Sequence, residues 1–141
     1  MPLVKTQPIE AAINIESLPG SVLSGLYLYC GCWDAAHSAA DRIEDPTGYF
    51  WHAIVHRQEP DPANSGYWFR KTGTHPIFPK LAAEAINIGY HGARDWDPYA
   101  FVEFCETARQ RPGSTEEQIA MQVQLVEWQL LFDYSARGQT C

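Results

Sequence analysis

From Thr115 to Ala136 the chain runs 22 residues without a glycine or a proline. Ile119, Val123, Val126, Leu130, Leu131 and Tyr134 recur there at helical spacing, and Trp128 and Phe132 widen the stripe. At 1.5 Å per residue this predicts a helix roughly 33 Å long. No stretch of the sequence alternates apolar and polar residues between hairpin turns, as a half-buried strand would. The expected fold is therefore all-α, a single compact domain of about six helices. The 141 residues make one domain by size, and the apolar fraction of 45% supplies a core without disulfide or structural metal.

Punctuation divides the rest. Residues 1–20 carry early prolines and end in Leu18-Pro19-Gly20, which predicts an extended N-terminal arm before a helical domain at 21–141. Apolar residues from Val22 to Ile43 repeat at helical spacing, giving one helix over 22–43, with Gly31 a candidate break point. Asp45-Pro46 ends it. Thr47 caps a second helix, 48–58, which is apolar nearly all round and so expected at the centre of the domain. Glu59-Pro60-Asp61-Pro62 stops it, and Asn64 caps a third helix to residue 72. Helices at 79–88 and 98–110 follow, the latter opened by Asp97-Pro98. Ser114 and Glu117 form a capping box ahead of the long final helix.

A formal charge of −7, with 10 Lys and Arg scattered along the chain, excludes nucleic acid and anionic membrane surfaces as expected partners. No run of about 18 apolar residues exists, so no membrane span is expected. The N-terminus lacks an apolar stretch behind a basic start, so no signal peptide is expected. Cys30, Cys32, Cys105 and Cys141 lack the CxxC spacing of zinc and redox sites, and read as thiols of a reducing cytoplasm.

Chemistry concentrates between Thr47 and Pro76. His52, His56 and Glu59 fall at i, i+4 and i+7 and would share one helical face. Two histidines four apart can chelate one divalent transition metal, with His37 or His75 completing the set. The glutamate of the HExxH metalloprotease helix is missing, so no protease reading follows. Without metal, a buried histidine beside a carboxylate can act as a general base: His56 with Glu59, or His37 with Asp34 or Asp41. His37, Asp61, Asn64, Tyr67, Arg70 and His75 are the expected ligand-binding walls, with Arg70 able to grip an anionic group. Two functions follow. One is a small-molecule enzyme or binder using His52, His56 and Glu59 as its catalytic centre. The other is a structural or interaction protein whose histidines and carboxylates form an internal polar network. The arm could lie across the core or across a second copy, so a homodimer is a further expected partner.

The segment FWHAIVHRQEPDPANSGYWFRKTGTHPIF, Phe50 to Phe78, resembles a signature of an uncharacterised family of bacterial proteins, FWHxIxHRRExDxxNxxYWFRxxGxHPxF. Trp51, His52, His56, Arg57, Glu59, Asp61, Asn64, Tyr67, Trp68, Phe69, Arg70, Gly73, His75 and Pro76 match. Gln58 departs from it, where the pattern often has arginine. The resemblance carries no activity with it; it implies that the segment behaves as one unit. Helical bundles that bind metal through HxxxH and one distant histidine are a looser parallel. They place the pair on a late helix, whereas the last two helices here have no histidine.

Overall fold

The computed structural model describes residues 17–92 and 94–137. The expected arm lies, up to residue 16, outside the described residues, as do Cys141 and the glycine at 138. Seven helices follow in order: α1 Gly20–Tyr29, α2 Trp33–Asp41, α3 Pro46–Gln58, α4 Pro62–Thr72, α5 Phe78–Ile88, α6 Pro98–Arg109 and α7 Thr115–Ala136. The described residues contain no strand, as the missing alternation predicts. The helix expected over 22–43 is two helices. Gly31 takes φ 76°, a left-handed value that ends α1 and turns the chain into α2.

Four of the helix starts carry a side-chain cap. Asp45 and Asp61 cap α3 and α4, each followed by a proline in the first turn. Their carboxylates accept the backbone N–H of Gly48 and Asn64. The caps are thus not Thr47 and Asn64: a proline has no N–H to lose, so the aspartate before it is the natural cap. Asp97 and Ser114 cap α6 and α7 as expected.

α3 sits at the centre. Phe50, Trp51, Ala53 and Val55 are fully buried, and even Arg57 is sealed from water. Each side of α3 faces a different helix. Trp51 donates to Ser135 on α7, and Ser65 on α4 donates to the Ala53 carbonyl. Small residues let the backbones close up: a Cβ on Gly48 would lie 2.4 Å from the Ile43 Cβ. Among the described residues no helix is long and apolar enough to cross a membrane.

Candidate metal centre

Two helices bring three histidines together. α2 packs against both α1 and α3, with Ala36 and Ala40 essentially without exposure. Ser24 of α1 holds α2 in place by donating to the Ala36 carbonyl at 2.9 Å. His37, one residue on, thereby reaches His52 and His56 of α3. One ring nitrogen from each of the three lies within 4.8 Å of the others. The sequence pair at i, i+4 does stack: the rings of His52 and His56 are 5.1 Å apart and 15° from parallel. His37 meets both edge-on.

The closest contact is between His52 Nε2 and His37 Nε2, at 2.9 Å. Two neutral imidazoles can share only one proton there. His52 is 1% exposed, and its ring stacks on Trp68 at 3.8 Å and 13°. Its Nδ1 has no hydrogen-bond partner among the described residues. An N–H left without an acceptor costs more than a bare lone pair there, so His52 is the better donor in the pair and His37 the acceptor. Burial, followed by the neighbouring His37 and His56, holds the His52 pKa down to about 4. Burial also lowers the pKa of His56, against the opposing pull of Glu59. Both rings are therefore neutral at pH 7.

The outer side of the trio is acidic. His56 Nδ1 lies 3.2 Å from Glu59 Oε1 and 3.7 Å from Asp61 Oδ2. Neither approach has the alignment of a hydrogen bond. Asp61 is engaged elsewhere: its Oδ2 accepts from the Asn64 side chain at 2.7 Å, which holds its carboxyl below the usual range.

The other expected site residues scatter. Tyr67 and Arg70 lie on the exposed side of α4, with the guanidinium 5.9 Å above the tyrosine ring. Neither forms a wall at the histidines, and Arg70 pairs with no carboxylate among the described residues. His75 lies on another side of α3. It packs against Phe50 and Tyr134 and contacts Thr47 Oγ1 at 3.1 Å. Phe50 and His52 are about 200° apart around the helix, so a residue packed on Phe50 cannot join His52. The candidate ligand set thus takes His37, not His75.

One feature escaped the sequence reading. Arg57 is fully buried, and its guanidinium donates from both terminal nitrogens to Glu127 of α7, 70 residues away. Gln124 also accepts from it, and Phe101 lies under it at 4.8 Å. A glutamate in the middle of a long apolar stripe, facing an arginine inside an apolar helix, was the available signal.

A groove of about 600 Å³ runs between the end of α1, α6 and α7, lined by Leu28, Trp33, Cys105, Met121, Leu125 and Trp128 among others. None of the three histidines lines it. Compared with known proteins, this chain matches no family model, no curated protein and no solved structure.

Proposed function

We propose that this chain binds one divalent transition metal through His37, His52 and His56, and that the ion activates water or polarises a small polar substrate. The observation that carries the proposal is the convergence of three ring nitrogens, from two helices, within 4.8 Å. Three imidazole ligands suit zinc, nickel, cobalt or iron, and leave a coordination position for solvent. Ligand nitrogens around a tetrahedral ion at 2.1 Å stand about 3.4 Å apart. The His37–His52 pair, now at 2.9 Å, would open by roughly half an ångström. His37 and His56 are half-buried rather than sealed, so the free position faces outward. Three histidines with one open position is the arrangement in which a metal lowers the pKa of bound water towards neutrality.

The test is metal uptake. Metal-free protein titrated with Co²⁺ should bind one equivalent, with visible absorption of a low-coordinate ion, and Zn²⁺ should displace it. The ion should also raise the melting temperature, since it binds the folded state alone. His37→Ala changes a half-buried residue, so it should fold normally yet lose uptake at least about 100-fold. Protein that takes up no metal, and whose melting is unmoved by Zn²⁺, Co²⁺, Ni²⁺ or Mn²⁺, would end the proposal.

A second reading has its own support. The 2.9 Å contact between His37 and His52 already satisfies one nitrogen of each ring. In a structural protein that contact would be an internal polar link between α2 and α3. His37→Ala would then destabilise the fold by about 1–2 kcal/mol with no ligand involved.

A further inference from the structure

The sequence reading puts Glu59 in the chemistry, as the last of three groups on one helical face. The geometry points to a different role: we infer that Glu59 is a positioning residue that fixes the proton of His56 on Nδ1 and so presents Nε2 to the metal. The inference rests on the metal reading of the trio.

Three observations support it. First, the metal-ligand set is made by His37, His52 and His56, and Glu59 is not among its members. Secondly, the Glu59 carboxylate approaches His56 at Nδ1, at 3.2 Å, from the next turn of chain. It has no other side-chain partner among the described residues, whereas Asp61, at 3.7 Å, is occupied by Asn64 and by capping α4. Thirdly, His56 Nδ1 is buried away from water with no aligned acceptor. Glu59 is partly exposed and can turn its carboxylate onto that nitrogen without disturbing the core.

A neutral imidazole has one proton. Held on Nδ1 by a carboxylate, it leaves the Nε2 lone pair for the ion, and the ring becomes a better donor. His52 has no such partner on its Nδ1, which is packed beside Trp68. Of the two α3 ligands, then, His56 is the one preset for the metal. His52 must move its proton from Nε2 to Nδ1 before it can bind. That difference makes Glu59 matter more than a carboxylate outside the ligand set ordinarily would.

The experiment reads proton position directly. In ¹⁵N-labelled, metal-free protein, long-range ¹H–¹⁵N correlation should show His56 protonated on Nδ1. Glu59→Ala should shift the ring towards the Nε2–H form and weaken Zn²⁺ binding about 10–100-fold by chelator competition. Glu59→Gln keeps an acceptor oxygen and should recover most of the lost affinity. The inference is overturned if Glu59→Ala leaves both tautomer and affinity unchanged, or if the Zn²⁺-loaded protein shows His56 bound through Nδ1. If no metal binds, yet Glu59→Ala still moves the His56 proton, the metal reading fails alone and the Glu59–His56 link stands.

Discussion

His75 is sealed from water as thoroughly as His52, but it serves the core. Its Nδ1 accepts from the Ile77 backbone N–H at 3.3 Å, so its Nε2 carries the proton and donates to Thr47. Phe50, Phe78 and Tyr134 surround the ring. Burial lowers its pKa from 6.5 to about 4, against the opposing pull of Asp45. The folded value lies below the unfolded one, so the unfolded chain binds the proton first as pH falls. Stability from the neutral ring is complete above pH 6.5 and is lost between about 6.5 and 4. The shift corresponds to about 3 kcal/mol at most. Urea unfolding at steps between pH 7.5 and 4.5, with chelator present, should show stability falling through that window. His75→Gln should be less stable at pH 7.5 yet flatter in its pH dependence. An equally steep profile in the variant would sink the assignment. At this scale the sequence was half legible. An i, i+4 pair fixes its own geometry, so His52 and His56 could be read together. Which distant histidine joins them depends on how α2 crosses α3, and spacing along the chain carries nothing about that.

Helices are where reading from sequence worked best, because glycine, proline and cap residues act locally. The break at Gly31, the cap at Asp97 and the start of α7 at Ser114 all follow from neighbouring residues. The caps of α3 and α4 were misplaced because the aspartate before a proline was taken to end one helix rather than begin the next. The tightness of the link between α2 and α3 left no trace in the pattern. Gly48 sits in the first turn of α3, where the Ile43 side chain and carbonyl press against it. An added Cβ would lie 2.7 Å from the Ile43 oxygen, which is backbone and cannot swing aside. Gly48→Ala should therefore destabilise the protein by about 2–4 kcal/mol, near the upper end for overpacking, although alanine favours helix. Ile43 lies in the link from α2 to α3, so relief of the clash would shift His37 relative to His52. Zn²⁺ affinity measured on the folded variant should drop as well. Stability and affinity equal to the parent chain would show that the link from α2 does not press on α3 at this point.

Across the whole molecule, α3 is held at both flanks by polar contacts of different character. On one side the histidines meet α2 and the outer acids; on another Arg57 reaches Glu127 of α7 in a contact with both partners sealed at 1% exposure. Arg109 of α6 closes the same region by donating to the Arg57 carbonyl at 2.9 Å. Removing two charges from water is costly, and their attraction inside the core offsets that cost only while both are present. Glu127→Ala leaves the Arg57 guanidinium buried beside Phe101 and Cys105, whose thiol burial already pushes up to about 11. The loss should be about 3–5 kcal/mol by urea unfolding, enough to remove much of the stability of a domain this size. The double variant Arg57→Met, Glu127→Leu replaces the pair with apolar groups of similar volume and should recover most of that loss. If it does, the pair adds little net stability, and its effect is to fix the rotation of α3 about its own axis. That rotation aims His52 and His56 at α2, so the double variant, though folded, should bind Zn²⁺ more weakly than the parent chain. A double variant with full stability and full affinity would separate the two flanks and leave the orientation of the histidines to α2 and α4 alone.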